Sequence, residues 1–409
     1  MNKATYSLTQ DNSKGSVLRF LLSELKPRGK FLTPFNIISI PIILLGIGIL
    51  VVRFAYGLGS VSNITQEVPW GIWKGFNVIT GVAFAGGAYV VTFMVYILNI
   101  KKYHSIVRVT VLNGFLAYLF YAGALILDLG KPWNIINPII GNSFGASSVL
   151  FLIAWHFLLY MIAQLIEFSP AIAEWIGATR AKRILSGMTV GVVILGITLS
   201  TLHQSGLGAL YLMAKEKIHP LWYSEFIPIL FFISSIFAGL SMVIFEGSIS
   251  QRVFSNQISE HDRKARRQII HGLAKICTLA MFIYLFLQIL TFVHGKHYDL
   301  INTPMGYWYL TEIIGFVILP MILFFYSYRT ENITLIKAAA IITMLGIVIN
   351  RLNVTIIGFR WDAATRYYPS WMEIVVTMMI ILVEIWVFRW VVNRLPVLRE
   401  APAWPVNKK

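Results

Sequence analysis

A ten-residue stretch at 199–208, "LSTLHQSGLG", places a histidine and several polar side chains inside an otherwise apolar segment. His203 is its titratable residue, because an imidazole gains and loses a proton near neutral pH. Ionisable groups at membrane depth are costly and are functional candidates by default. Helix packing is the alternative, and it accounts well for the small-and-polar stripe of Gly196, Ser200, Gln204 and Gly208. The stretch predicts a proton donor or acceptor at His203.

Other polar side chains in the first half of the chain are predicted to lie at a similar depth. Asp128 ends an apolar run within "ILDLGKPW", while Lys74 and Asn77 lie one to two turns into an earlier run. His156, a further proton-path candidate, is about midway through the next run. A carboxylate and two imidazoles are therefore expected in the outer half of one helix bundle.

The second half of the chain carries a different set of charges. Glu312 and Arg351 fall within apolar runs and are interpreted as an intramembrane ion pair, with a proton relay as the alternative. Four more ionisable residues are candidate stations for protons on the inner side: Glu246, His271, Lys275 and Glu384. Charges that extend from helix ends to the membrane interface are the alternative explanation for these four.

The elements that hold these residues are predicted to be membrane helices. Hydrophobic residues make up 57% of the 409 and charged residues 13%, and the mean hydropathy is +0.71. Backbone groups in lipid must be satisfied internally, and the alternation typical of a β-barrel is absent, so the fold class is all-α. Ten runs are long enough to span: 34–58, 70–99, 106–129, 145–168, 185–213, 220–247, 268–294, 304–327, 333–357 and 370–393.

Lysine and arginine are distributed unequally between the two sets of connections. One set of tails, loops and helix ends holds 24 of them and the opposite set holds 6. Because cytoplasmic loops carry the excess, both termini are predicted to lie in the cytoplasm of a bacterial inner membrane. This topology and anionic lipid explain the net charge of +16, so no nucleic-acid partner is expected.

An internal repeat is visible at a constant offset of 150 residues. "LGITLSTLHQSGLG" at 195–208 matches "LGIVINRLNVTIIG" at 345–358, where His203 corresponds to Asn353. Helices two to five thus resemble helices six to nine, and an even number of helices per copy predicts a parallel repeat. The predicted divisions are a tail, a first helix, two four-helix bundles, a tenth helix and a second tail: 1–33, 34–58, 66–213, 218–358, 370–393 and 394–409.

Several kinds of chemistry have no support in the sequence. Cys277 is the single cysteine, so no iron-sulfur cluster is predicted, and neither a nucleotide loop nor a metal motif is present. The membrane histidines His156, His203, His271 and His294 are too scattered for a clear haem pair. A hydrophobic, proton-coupled ligand such as a quinone fits best, since its carbonyls need hydrogen-bonding partners and its tail needs lipid access.

Five segments resemble the membrane subunit of the polysulfide reductase and formate-dependent nitrite reductase type (NrfD/PsrC-like). They are "EVPWGIWKGFNVITGVAFAGG", "LDLGKPW", "LHQSGLGALYL", "HPLWYSEFIPILFF" and "INRLNVTIIGF". More narrowly, they are similar to the ten-helix subunit of periplasmic, quinone-linked nickel-iron hydrogenases. The resemblance covers essentially the whole chain after the first tail.

The resemblance implies a haem-free module that reduces menaquinone. A periplasmic four-cluster ferredoxin-like subunit would deliver the electrons from the large and small subunits of a nickel-iron hydrogenase. His203 and Asp128 are implied as the main residues of the quinone site. Four neighbours are implied as further quinone-binding residues: Trp73, Asn77, Gln204 and Tyr211. For the second bundle the resemblance suggests proton movement.

The outer loops 59–69, 130–144, 214–222 and 358–369 are predicted to hold the electron-donor subunit. They lie beside the expected quinone site and carry Trp133, Trp222 and Trp361, although an interfacial aromatic belt would use the same residues. Two other functional classes stay open. A secondary transporter would share the repeat and the buried charges, and a di-haem cytochrome b would share the histidines.

Overall fold

The computed structural model describes residues 22–26, 32–140, 145, 147–254 and 260–398. Across these ranges the chain contains helices and one isolated bridge, Ile218 to Phe359, but no strand. Ten helices are long and apolar enough to cross a membrane. The prediction of an all-α protein with ten membrane helices is confirmed. The predicted tails and the loop 130–144 lie wholly or partly outside the described ranges.

The membrane helices are α1 (Pro34–Tyr56), α2 (Trp73–Ile97), α3 (Lys101–Asp128), α4 (Val149–Trp175), α5 (Thr179–Leu212), α6 (Ile227–Val253), α7 (Ala265–Gly295), α8 (Pro304–Thr330), α9 (Ile333–Ile357) and α10 (Trp371–Val392). We call the end at which α1 stops and α2 starts the outer end, and the opposite end the inner end. Asp128 therefore lies at the outer end, where α3 stops.

Side-chain caps fix where several helices begin. An oxygen of the residue before the helix accepts a hydrogen bond from the first turn at Thr33, Ser148, Thr303, Asn332 and Ser370. Each cap satisfies an amide that the helix leaves without a partner. Gly57 ends α1 with φ +90°, a conformation that glycine adopts without a steric penalty.

Contacts between the helices form two closed rings. The first ring runs α2, α3, α4, α5 and back to α2, and the second runs α6, α7, α8, α9 and back to α6. α6 joins the rings by packing on α2 and α5, while α1 and α10 pack on each other along the side of α2 and α3. The origin of the two rings in a parallel repeat stays a prediction.

α2 is the central helix, since 83% of its apolar window is buried within the protein. It approaches α6 very closely: a Cβ added at Gly239 would lie 1.9 Å from the Gly87 amide nitrogen. Its first nine residues, Trp73–Gly81, form a π-helix rather than an α-helix. Such wide turns shift the direction of side chains and often occur at functional sites.

Candidate functional site

A buried ion pair lies where the outer ends of α2 and α3 meet. Lys74 Nζ is 2.5 Å from Asp128 Oδ2, and Asp128 is 3% exposed. Arg53 of α1 donates hydrogen bonds to the carbonyls of Leu127, at 2.7 Å, and of Leu129. Two cations thus surround one buried carboxylate, which offsets part of the cost of burying it.

A second buried carboxylate, Glu373 at the start of α10, interacts electrostatically with this pair. Its oxygens accept from the Ser62 hydroxyl at 2.9 Å, the Asn63 amide at 3.2 Å, the Tyr367 hydroxyl at 2.7 Å and the Ser370 amide at 2.8 Å. Its backbone carbonyl accepts from the Trp73 indole at 3.0 Å. We define the outer carboxylate cluster as Arg53, Lys74, Asp128, Tyr367 and Glu373.

Tyr367 connects the outer carboxylate cluster to a cavity at the outer end. Its hydroxyl donates to Glu373 and accepts from the Ile72 amide at 3.0 Å. Burial raises the pKa of this phenol well above its ordinary value, so it stays protonated. The cavity is lined by Val68, Phe359, Arg360, Trp361, Thr365 and Tyr367.

His203 lies deeper, inside the first ring, and is 2% exposed. Its Nδ1 donates to the Ile153 carbonyl of α4 at 3.3 Å. Its Nε2 is buried and has no partner within the part of the chain that the structure describes. The ring packs on Tyr118 and Phe157, with centroids 5.4 Å and 6.2 Å away. Because Nδ1 holds a proton, Nε2 of the neutral imidazole carries the lone pair that can accept one.

Two phenols and a serine lie next to this histidine. The rings of Tyr118 and Tyr160 meet edge to face at 4.7 Å, and the Ser200 hydroxyl is near both phenols. Within the described ranges, the hydroxyls of Tyr118 and Ser200 nevertheless make no hydrogen bond of good geometry. Gln204 donates to a carbonyl of α2 at 2.9 Å. We define the histidine cluster as Tyr118, Tyr160, Ser200, His203 and Gln204.

Two further buried side chains have polar atoms without a partner. Asn77, 0% exposed, follows Lys74 by about one turn of α2, and among the described residues neither of its side-chain polar atoms has a hydrogen-bond partner. The Tyr211 hydroxyl, two turns beyond His203 on α5, is in the same situation. Tyr211 packs on Trp70, with ring centroids 5.3 Å apart. Asn77 and Tyr211 thus extend from the level of the histidine cluster toward the outer end.

These polar atoms suit the two carbonyl oxygens of a quinone. Nδ2 of Asn77 and the hydroxyl of Tyr211 can each donate a hydrogen bond, and Nε2 of His203 can donate once it is protonated. Buried polar groups without partners are costly and uncommon in folded proteins. Side chains of two helices, α2 and α5, therefore supply donors of the type that a quinone head group requires.

The two main residues of the predicted site do not share a partner. Asp128 pairs with Lys74, whereas His203 bonds to the Ile153 carbonyl. Tyr118, the α3 residue that packs on His203, precedes Asp128 by ten residues, which is roughly 15 Å along a helix. Asp128 therefore does not orient the imidazole of His203 directly. Trp73 also serves the outer cluster, through its bond to the Glu373 carbonyl.

The second ring holds a network of buried polar groups. Glu312 accepts from Trp222 Nε1 at 2.7 Å, from Asn350 Nδ2 at 2.6 Å and from Asn353 Nδ2 at 2.5 Å. Arg351 donates to Asn350 Oδ1 at 2.7 Å and to Ser234 at 2.6 Å. The expected direct ion pair is replaced by a bridge, because Asn350 lies between Glu312 and Arg351. Sequence spacing could not reveal this side-chain arrangement.

The other predicted proton stations differ in their surroundings. Glu246 accepts a hydrogen bond from Asn113, and Glu384 lies beside Tyr121. His156 is half-buried on α4. His271 bonds through Nδ1 to the Arg267 carbonyl of its own helix at 2.7 Å.

Lys275 is exposed on α7, with its Nζ 5.9 Å from the centre of the Tyr328 ring. The prediction that Lys275 is a buried or half-buried proton station is therefore wrong. A long side chain on a lipid-facing surface keeps its charge near the interface, and an aromatic ring beside it stabilises that charge.

The sequence interpretation missed three charged residues of this region. Arg53 was counted as part of the first apolar run. Glu373 lies at the third position of the last helix, where it forms a capping box with Ser370. Glu167, half-buried on α4, was overlooked at the end of its run. Each is ionisable and lies within or beside an apolar segment, and that signal was available for all three.

Comparison with known proteins gives the family of the chain. The sequence model of the family described as "Polysulphide reductase, NrfD" matches residues 60–360. The chain therefore belongs to this family, and the resemblance drawn from the sequence is confirmed.

Three relatives illustrate the range of the family. A protein of Nitratidesulfovibrio vulgaris strain Hildenborough is 40% identical, covering 91% of this chain and 96% of its own. The "Probable Ni/Fe-hydrogenase 2 b-type cytochrome subunit" of Escherichia coli strain K12 is 27% identical over 90% of this chain and 94% of its own. The "Menaquinone reductase, integral membrane subunit" of the same Nitratidesulfovibrio strain is 24% identical over 80% and 82%. The chain is thus similar to membrane subunits of redox complexes.

Proposed function

We propose that this NrfD-family chain is the membrane anchor and quinone-reactive subunit of an oxidoreductase complex, and that it binds menaquinone inside the first ring. The observation that carries the proposal is the set of buried polar atoms without partners on Asn77, His203 and Tyr211. One relative supports it by its name, "Menaquinone reductase, integral membrane subunit", because that name links menaquinone reduction to a membrane subunit similar to this chain.

The chemistry asked of the protein is proton transfer and charge stabilisation. Reduction of a quinone to a quinol takes two electrons from an iron-sulfur partner and two protons. His203 supplies a proton from Nε2 while Nδ1 stays fixed on the Ile153 carbonyl. Asn77 and Tyr211 donate to the carbonyl oxygens, which stabilises the charge that develops on them. Gln204 holds α5 against α2 and keeps His203 at the right depth.

The outer carboxylate cluster positions the site from above. Trp73 and Lys74 start the π-helical segment that carries Asn77. Lys74 is paired with the Asp128 carboxylate, and Trp73 donates to the backbone carbonyl of Glu373. The role of Asp128 is thus to fix α2 and α3 relative to each other. Substrate enters from lipid, and electrons arrive from the outer end.

The electron donor is proposed to be a four-cluster ferredoxin-like subunit that binds the outer loops. Trp133 is 68% exposed, Trp361 is 39% exposed and Tyr368 is 72% exposed, so an aromatic surface is available there. Trp222 does not belong to that surface, because it is 6% exposed and bonds Glu312. Crosslinks from the donor confined to the inner loops would contradict this arrangement.

The catalytic partner is proposed to be a nickel-iron hydrogenase with large and small subunits, in a bacterial inner membrane with both termini cytoplasmic. The similarity to the hydrogenase 2 subunit supports this choice. That relative's name also contains "b-type cytochrome", so a haem-bearing subunit is the alternative. An optical spectrum of the purified complex separates the two, since a reduced-haem α band assigned to this chain would refute the haem-free proposal.

His203→Asn tests the site itself. The repeat already carries asparagine at the corresponding Asn353, so the replacement is suited to this helix position. Loss of the titratable group should lower quinone-linked turnover roughly 100-fold. Reduction of an artificial dye by the catalytic subunit should be unchanged in the same membranes. Equal, near-wild-type rates in both assays would mean that His203 only packs helices.

A further inference from the structure

One face of α4 carries a continuous file of residues from the histidine cluster to the inner end. Ile153, Phe157, Tyr160, Gln164 and Glu167 recur at helical spacing, so they lie on one side of the helix. The upper two contact His203 directly. The lower three are polar, and none of them was singled out from the sequence.

The lower end of this file opens into a cavity at the inner end of the first ring. Its polar lining comes from four helices: Tyr96, Arg108, Glu167, Lys182, Ser186 and Thr189. Glu167 is half-buried, and its Oε1 has no partner in the part of the chain that the structure describes. A carboxylate in such a position can take up a proton from water that enters the cavity.

The cations nearest to Glu167 pair with a different carboxylate, so Glu167 is the acid that can take up a proton from the cavity. Arg108 and Lys182 both bond Glu174, at 2.9 Å each, so these two cations share another carboxylate. Tyr96 lies close enough to Glu167 to interact with it electrostatically. Glu167 thus lies at the positively charged entrance of this cavity, and no described residue forms an ion pair with it.

Polar contacts lead upward from Glu167 toward His203. Glu167 interacts electrostatically with Tyr160, two turns above it, and Gln164 donates to the Tyr160 hydroxyl at 3.1 Å. Ser200 is near the hydroxyls of Tyr160 and Tyr118. Tyr118 packs on the imidazole, with ring centroids 5.4 Å apart. We infer that water bridges the remaining gaps, as it does in other buried polar sites.

We propose that Glu167, Gln164, Tyr160, Ser200 and Tyr118 form a proton route from the inner end of the molecule to Nε2 of His203. The inference rests on the proposed quinone reduction at His203 and adds the source of its protons. Each quinol then forms with two electrons from the iron-sulfur partner and two protons delivered along this route.

A second set of buried acids is the rival. Glu246 and Glu384, with Asn113 and Tyr121, line a cavity between α2, α3, α6 and α10. Tyr121 packs against Gly81 of α2, so this set leads to α2 and makes no described contact with His203. The route along α4 is favoured because its last member, Tyr118, packs on the imidazole of His203.

The test compares variants of the intact complex in native membranes. Glu167→Gln should lower kcat for quinone reduction roughly 10-fold, with the KM for quinone and the dye-linked rate unchanged. Tyr160→Phe, which removes one oxygen and keeps the ring, should reproduce much of that loss. Thr198→Val is the matched control, because it removes a hydroxyl from the exposed face of α5, and it should have no effect.

Wild-type quinone rates in both Glu167→Gln and Tyr160→Phe would overturn the route. So would a loss in Glu384→Gln while the α4 variants keep their activity, because protons would then arrive through α3, α6 and α10. If Glu167→Gln prevents assembly, Tyr160→Phe decides. Failure of the proposed function looks different: His203→Asn would then reduce quinone at the wild-type rate.

Discussion

The two rings place polar residues in the membrane in opposite ways. In the second ring, Glu312, Asn350, Asn353 and Arg351 close on one another through hydrogen bonds of 2.5 Å to 2.7 Å. In the first ring, His203 occupies the position that Asn353 has in the repeat, and its Nε2 has no partner in the described chain. The same helix position thus serves a closed network in one ring and an open one in the other.

This difference suggests that one ring serves the chemistry and the other serves the stability of the protein. A buried network whose members bond one another fixes helices in place and has little capacity for a ligand; in the second ring only Nε of Arg351 lacks a partner among the described atoms of these four side chains. Buried donors without partners cost free energy, and folded proteins keep few of them. The first ring is therefore expected to hold the reactive site, and the second ring to maintain the scaffold beside it.

Arg351→Met should have the largest effect on stability. Removing Arg351 leaves Glu312 without its nearby cation and Asn350 Oδ1 without its donor, which costs about 3–5 kcal/mol. The thermal transition of the purified chain and its yield in membranes should both fall. Lys275→Met is the control, because that lysine is exposed, and it should leave both unchanged. An unchanged transition in Arg351→Met would show that the network contributes little.

A matched pair of asparagines tests the comparison directly. Asn77→Leu removes side-chain atoms without partners, so stability should be kept while quinone-linked kcat/KM falls roughly 10-fold. Asn353→Leu removes the bond from Trp308, at 2.8 Å, and the bond to Glu312. It should lower the thermal transition and leave quinone-linked turnover of the assembled fraction intact. If Asn77→Leu instead lowered stability and Asn353→Leu lowered quinone-linked turnover, the roles of the two rings would be exchanged.

Asp128→Asn should have a smaller effect on catalysis than His203→Asn. The carboxylate holds Lys74, not the imidazole, so its loss loosens the start of α2 without removing a proton carrier. A few-fold rise in the KM for quinone is expected, with kcat changed less. Lys74→Met should behave in the same way. A loss as large as that of His203→Asn would place Asp128 in the proton transfer itself.

The smallest predicted effect concerns pH at the junction of the rings. His219 is 3% exposed, and its Nδ1 accepts a hydrogen bond from the Leu221 amide. Its pKa is lowered, mainly by burial and to a smaller extent by the nearby His297. The neutral form therefore stabilises the fold above the ordinary pKa near 6.5, and this stability is lost as pH falls through the folded value. Hydrogen exchange in 214–222 should rise on acidification.

His219→Gln provides the control for that measurement. Glutamine cannot titrate, so the pH dependence of exchange in 214–222 should disappear even if the basal rate changes. A pH dependence of the same size in His219→Gln would assign it to another group.

The fold was largely predictable because apolar runs of membrane length leave few alternatives to helices. His203 and Asp128 could be found because ionisable residues are rare in such runs. Their partners could not be found in this way. The pairing of Asp128 with Lys74 depends on where the π-helical turns of α2 direct side chains, and a 3.6-residue period does not contain that information.

The bridge at Asn350 was hidden for a similar reason. Glu312 and Arg351 are opposite charges on neighbouring helices, and an ion pair is the natural expectation from their types alone. Which of two adjacent residues faces the carboxylate depends on helix rotation and rotamers, which only tertiary packing sets. The route along α4 was missed because tyrosine and glutamine are common in helix cores, and only their contacts distinguish them.

The bonds from Arg53 to the end of α3 have a consequence for membrane insertion. The two carbonyls that it binds are 74 and 76 residues further along the chain, so they do not exist when α1 is made. Arg53 is one turn from the outer end of α1, and its side chain can reach the water interface during that interval. It turns inward only when the third helix arrives. Folding of this first helix is thus completed by a later part of the nascent chain.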